Sequence, residues 1–78
     1  MKVKCFGIAK EITKVKELEL KLDDNSTVKQ LKEYLLETYP EFSQFNSFMV
    51  AVNMTYASDD QAIFSKDEIA IIPPVSGG

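Results

Sequence analysis

Histidine and arginine are both missing from this chain, and cysteine occurs once, as Cys5. Without histidine there is no Ser-His-Asp or Cys-His nucleophile pair and no imidazole ligand for a metal. Without arginine there is no bidentate guanidinium fork, the usual tool for gripping phosphate or carboxylate. All nine cationic side chains are lysines, interleaved with acids as in Lys14-Val15-Lys16-Glu17, and the formal net charge is −3. No basic block exists, which excludes a nucleic-acid partner. A single cysteine forms no internal disulfide and fits a reducing compartment. No apolar run approaches the length needed to span a membrane. The apolar stretch behind Met1-Lys2-Val3-Lys4 is too short for a signal peptide. The expected location is the cytoplasm, with no membrane partner.

What is present describes a small folded domain. Seventy-eight residues, 45% of them apolar, allow one core and bury about 60–65% of the unfolded chain's surface. That leaves little room for an enclosed active site, so a stand-alone enzyme is the least expected class. Cys5 has no base or cationic field near it in sequence to make it a nucleophile, and reads as a packed thiol.

Hydrophobic periodicity gives the elements. Val3, Cys5 and Ile8 alternate with Lys2, Lys4 and Phe6, a strand with Val3 and Cys5 facing the core. Leu18, Leu20 and Leu22 alternate with Glu17, Glu19 and Lys21, a second strand, and about ten residues join the two as an antiparallel hairpin. Asp23-Asp24-Asn25-Ser26 is a turn. Thr27 followed by Gln30 matches a capping box, and Val28, Leu31, Leu35 and Thr38 form the apolar stripe of a helix, with Tyr34 beside them. Pro40 ends that helix near Thr38 or Tyr39. Residues 41–47 form a polar-aromatic connector. Phe48-Met49-Val50-Ala51-Val52 suits a central strand, Asn53 opens a turn, and Thr55-Tyr56 is a weaker strand. Asp59-Asp60 begins another turn, Ile63-Phe64 is expected as a short helical turn, and Ile69-Ala70-Ile71-Ile72 is a last, central strand ended by Pro73 and Pro74. The expectation is an α+β roll, a mixed sheet covered by one main helix.

Two assignments concern chemistry. The sequence finishes Pro73-Pro74-Val75-Ser76-Gly77-Gly78. Paired glycines remove side chains and free the main chain, and the prolines favour a stiff, extended base. The expectation is a domain over residues 1–72 and a protruding tail over 73–78 that reaches about 20 Å when stretched. Gly78 is the candidate reactive residue, its carboxylate being activated by a partner as an acyl-adenylate; Pro73, Pro74, Val75, Ser76 and Gly77 are the segment that threads into a partner. The acid pairs Asp23-Asp24, Asp59-Asp60 and Asp67-Glu68 lack the ligand spacing of a calcium loop and read as solvated turns, so no metal site is expected. Phe6, on the strand face opposite Val3 and Cys5, is either a core aromatic or part of a docking surface.

The run Asp67-Glu68-Ile69-Ala70-Ile71-Ile72-Pro73-Pro74-Val75-Ser76-Gly77-Gly78 closely resembles the C-terminus of the small subunit of molybdopterin synthase, the MoaD family. Val50-Ala51-Val52-Asn53, Thr27-Val28 with Leu31, and Cys5-Phe6-Gly7 through Glu11 resemble the same family's central strand, helix start and first strand. The resemblance implies a β-grasp, ubiquitin-like fold and a sulfur-carrier role in molybdenum cofactor biosynthesis. It implies that Gly78 is adenylated by an E1-like adenylyltransferase and converted to a thiocarboxylate with sulfur from a donor protein. The tail then enters the large subunit of molybdopterin synthase, in a heterotetramer, and gives its sulfur to cyclic pyranopterin monophosphate. No permanently bound cofactor is implied, only the transient adenylate and thiocarboxylate. Carriers of the same kind in thiamin thiazole synthesis, and ubiquitin-like protein modifiers, are the alternatives. One departure stands out: Lys66 occupies a position where the family usually carries Gly, which raises a local backbone cost if that turn needs a positive φ.

Overall fold

A computed structural model describes residues 1–44 and 48–72. Strand β1 (Lys2–Cys5) leads into helix α1 (Gly7–Thr13), then strands β2 (Glu17–Glu19) and β3 (Ser26–Thr27). Helix α2 (Val28–Thr38) and a 3-10 helix, η1 (Pro40–Gln44), precede β4 (Met49–Val52), β5 (Thr55–Tyr56), β6 (Ala62–Ile63) and β7 (Ile69–Ile72). The main sheet has five strands in the order β2-β1-β7-β4-β5. The β1–β7 pair is parallel and the other three pairs are antiparallel. β7 is therefore the middle strand, as its unbroken apolar run requires, and β1 and β2 pair antiparallel with Val3 opposite Leu18.

Alternation along the strands sorts the two faces. Val3, Cys5, Val50, Val52, Ile69 and Ile71 turn to one side, where they are buried with Val28, Leu31 and Leu35 of α2 and Phe42 of η1. Phe42 meets Phe48 at a centroid distance of 5.3 Å and Tyr39 edge-on at 6.3 Å. The capping box is formed in full: the Gln30 amide N–H donates to Thr27 Oγ1 at 3.2 Å and the Thr27 N–H donates to Gln30 Oε1 at 2.8 Å. Thr38, placed on the apolar stripe by its spacing, is exposed instead, since η1 takes over the cover of the core beyond Leu35.

Three local expectations need correction. The link between β1 and β2 contains a helix, so Ile8 does not continue the first strand's core face: it is exposed, and Ala9 and Thr13 are the buried residues of α1. Gly7, at φ 54, breaks the extended run and switches the side-chain period from two to the helical value. Second, Ile63 belongs to a strand. β6 pairs with β3, Ser26 opposite Ile63, and backbone N–H groups of Asn25 and Val28 donate to Ile63 and Gln61 carbonyls at 2.9 and 3.0 Å. Third, only Leu20 of the second strand's leucines is fully buried; Leu18 and Leu22 are half-buried, because β2 lies at the sheet edge.

Lys66 is not among the described residues with positive φ, so the usual glycine's backbone freedom is not needed there. The left-handed positions are instead Lys14, which closes α1, Asn25, and the adjacent pair Asn53 and Met54. The last two form a two-residue hairpin turn between β4 and β5, with Val52 opposite Thr55. Such a turn needs both central residues at positive φ, comfortable for Asn and costly for Met by about 1–2 kcal/mol.

Candidate functional site

The expected reactive residue Gly78 and the threading segment Pro73, Pro74, Val75, Ser76 and Gly77 lie outside the described residues, as does the proposed boundary of the tail. What the structure does show is the surface from which that segment departs. β7, whose Ile72 is bonded covalently to Pro73, runs through the centre of the sheet.

The sheet face away from α2 has no helix over it among the described residues. Its register makes a transverse row: Lys4 opposite Ala70, Ala70 opposite Ala51, Ala51 opposite Tyr56. Two alanines form a shallow floor between taller groups, and the hollow there has a volume of about 350 Å³, lined also by Phe6, Met54 and Ile72. Phe6 is 51% exposed, Tyr56 64% and Met54 88%. Small chains seldom leave so many large apolar groups together in water unless another molecule covers them. At the margin Lys4 Nζ and Glu68 Oε1 form an ion pair at 3.4 Å. Both ends are about half-exposed, so it contributes little stability.

A polar clip seats the β4–β5 hairpin against the start of β7. Asn53 Nδ2 donates to Asp67 Oδ1 at 3.0 Å, and Asn53 Oδ1 accepts from the Glu68 N–H at 2.9 Å. The Asn53 N–H donates to the Glu68 carbonyl at 2.7 Å, and Asp67 Oδ2 accepts from the Phe64 N–H at 2.8 Å. Asn53 therefore acts as a false backbone, continuing the ladder through its side chain. The sequence marked Asn53 as the start of a turn but offered no sign of this partner fourteen residues away.

The acid pairs are used structurally. Asp24 Oδ1 accepts from both the N–H and the hydroxyl of Ser65, at 2.8 and 2.7 Å, and these bonds, side chain before backbone, hold its carboxyl below the usual range. Asp59 pairs with Lys32 at 2.7 Å. Among the described residues no group of three or more His, Cys, Asp or Glu is placed to hold a metal ion, and no helix is long and apolar enough to cross a membrane. Cys5 is buried at 2% exposure. Burial pushes its thiol pKa up, and a hydrogen bond with the Thr13 side chain offsets only part of that.

A mixed five-stranded sheet in this order, packed on one side by α2 and open on the other, defines a ubiquitin-like β-grasp protein. The fold superposes on that of small archaeal modifier protein 1 from Haloferax volcanii with a TM-score of 0.78, at 23% identity, over 95% of each chain. The chain belongs to the ThiS family, whose model matches residues 3–78. It is similar to the molybdopterin synthase sulfur carrier subunit of Arabidopsis thaliana, 38% identical over 79 residues that cover 100% of this chain and 82% of that protein. It is likewise similar to the subunit of the same name from Dictyostelium discoideum, 44% identical over 64 residues, 78% of this chain and 73% of that one. A solved complex of subunits 1 and 2 of the molybdopterin-converting factor from Helicobacter pylori contains a chain that matches with a TM-score of 0.64 and 26% identity, covering 99% of this chain and 96% of that one.

Proposed function

We propose that this chain is the sulfur-carrier subunit of a cytoplasmic molybdopterin synthase, and that Gly78 is the residue that carries the sulfur. One observation supports the reading above the others. The open apolar face formed by Phe6, Ala51, Tyr56 and Ala70 is built around β7, the strand that continues into Pro73-Pro74-Val75-Ser76-Gly77-Gly78, and Ile72 belongs to both. A partner seated on that face lies against β7, the strand that directly precedes in sequence the segment it must receive. The partner is the large subunit of the synthase, by analogy with the two-subunit complex that this fold resembles. The same face, being a simple apolar hollow, also suits an E1-like activating enzyme at an earlier step.

The chemistry runs in balanced steps. The Gly78 carboxylate attacks the α-phosphorus of ATP, giving an acyl-adenylate and releasing pyrophosphate. A persulfide sulfur from a donor protein then attacks the acyl carbon, AMP leaves with the bonding pair, and reduction of the resulting acyl disulfide by a thiol yields the thiocarboxylate. On the large subunit the thiocarboxylate sulfur attacks a carbon of cyclic pyranopterin monophosphate and displaces an oxygen substituent, which leaves with the bonding pair and takes up a proton; water then cleaves the acyl–sulfur bond, leaving the sulfur on the pterin and restoring the carboxylate. The described part of this chain has no group of three or more His, Cys, Asp or Glu placed to hold a metal ion. Its contribution is to present the segment and to bind the proteins that do the activation.

The test is the intact mass of the chain before and after incubation with the activating enzyme, ATP and a sulfur donor. The expected result is the increment of one oxygen-to-sulfur exchange, located at Gly78, and its loss on addition of the large subunit and cyclic pyranopterin monophosphate. A sulfur increment that persists with those two present and discharges only to a thiazole synthase assigns the chain to the thiamin pathway instead. No increment, with conjugates that survive denaturation and reductant, assigns it to protein modification.

A further inference from the structure

A second hollow, of about 590 Å³, lies round the corner of the sheet from the apolar face, between the start of α1 and the β1–β2 pair. Lys4, Phe6, Gly7, Lys10, Lys16 and Glu17 line it, and Lys4 and Phe6 line the apolar face as well. The two surfaces are therefore continuous, with Phe6 as the ridge between them.

Its charge does not match the rest of the molecule. Residues 1–32 carry eight lysines and five acids, a net +3, whereas residues 33–78 carry one lysine and seven acids, a net −6, which together give the −3 of the chain. Glu17, opposite Lys4 in the β1–β2 ladder, is the one carboxylate in the lining, and Lys4 forms its ion pair with Glu68 on the neighbouring apolar face. Lys10 and Lys16 take part in no ion pair among the described residues. The hollow is thus lined by three lysines against the one carboxylate of Glu17, a net positive, partly apolar concavity at the edge of a surface already suited to a protein.

We propose that this hollow receives a carboxylate from the protein that docks on the sheet face, an Asp or Glu on a loop or helix end that reaches past Phe6 to lie between Lys10 and Lys16. The inference rests on the proposed function, and names the charge of the partner's surface at one position. Lysine at the rim of an interface acts chiefly on the rate of encounter and on its salt dependence, while the apolar centre sets the lifetime. Lys10 and Lys16 accordingly steer and orient the partner, and Phe6 and Tyr56 hold it.

The experiment measures association and dissociation rates of the full chain with the large subunit of molybdopterin synthase from the same organism, across a range of ionic strength. Lys10→Glu combined with Lys16→Glu is expected to slow association about tenfold at low salt and to flatten the salt dependence, with a melting curve that shows the fold intact. Lys10→Arg with Lys16→Arg restores the rate. Lys21→Glu with Lys29→Glu makes the same change in net charge away from the hollow and is expected to have a much smaller effect. Equal slowing by the two charge-reversed pairs overturns the proposal, since net charge alone then explains it, and so does an unchanged rate for the Lys10 and Lys16 pair. Failure of the wild-type chain to bind the large subunit is a different result: it overturns the functional reading itself, and this inference with it.

Discussion

Replacing Asn53 separates a backbone effect from a hydrogen-bond effect at one position. Asn53→Ala removes two side-chain bonds, the donation to Asp67 at 3.0 Å and the acceptance from the Glu68 N–H at 2.9 Å. Both are exposed, so each is worth about 0.5–1.5 kcal/mol net. The same substitution puts a Cβ-bearing residue without a local polar group at φ 53, where the left-handed region costs about 1–2 kcal/mol. Together the loss is about 2–5 kcal/mol, and in a domain of this size about 4–8 °C of melting temperature accompanies each kcal/mol. Asn53→Gly loses the same two bonds but relieves the φ cost, so it should fall about 1 kcal/mol short of Asn53→Ala. Urea unfolding of the three proteins, fitted with a common slope, measures both differences. Equal stability of the Ala and Gly variants would refute the backbone part. A Gly variant as stable as the wild type would refute the clip. Because the clip seats the hairpin that carries Tyr56, both variants should also bind the large subunit more weakly than the wild type.

Three further outcomes are expected. Phe6→Asp, at a residue already half-exposed, should leave the melting temperature within a few degrees of wild type and weaken binding of the large subunit at least about tenfold, measured by calorimetry, as for a central aromatic anchor; full affinity would remove the sheet face from the interface. Asp24 carries a depressed folded-state pKa, so its contribution to stability is present above its ordinary value of 3.8 and is lost as pH falls through the lower folded value. Asp24→Asn should therefore be less stable than wild type at neutral pH and show a shallower acid decline, and parallel acid-unfolding curves would contradict this. Cys5, buried with a raised thiol pKa, should react with a thiol-specific reagent only at the rate of local opening, and Cys5→Ala should leave sulfur transfer intact; fast labelling of the native chain would show an accessible thiol.

The elements that were legible in the sequence are those whose signal is local. Thr27 and Gln30 satisfy each other's orphan backbone groups within one turn, and the helix begins where that box predicts. The apolar run at residues 69–72 is paired along both edges, with β1 and with β4, and it is the middle strand. The expected sulfur-carrier ancestry was legible for the same reason, since its marks are runs of consecutive residues. α1 was not read, although Ala9 and Thr13 stand four apart with Lys10, Glu11 and Lys14 between and after them. Seven residues give one short stripe, and the alternation of β1 runs straight into it until Gly7 turns the chain. Ile63 was misread because a two-residue strand carries no periodicity. Only its partner, Ser26, thirty-seven positions away, makes it a strand.

The sequence by itself determined the side-chain chemistry available to this protein, with no histidine, no arginine and one thiol, and it carries the runs that mark the ThiS family. Tertiary structure decided which surfaces that chemistry works beside. Phe6, Ala51, Tyr56 and Ala70 are scattered over sixty-five positions and have nothing in common as sequence. They become one face because the pairings of β1 with β7, β7 with β4 and β4 with β5 set Ala70, Ala51 and Tyr56 side by side, with Phe6 just past the end of β1 lining the same hollow. Side chains on a strand alternate by two, so the same ladder that buries Val3, Val50 and Ile71 must expose their neighbours on the other side. Composition records how many apolar groups a chain has; only the closed ladder determines which of them are left for a partner.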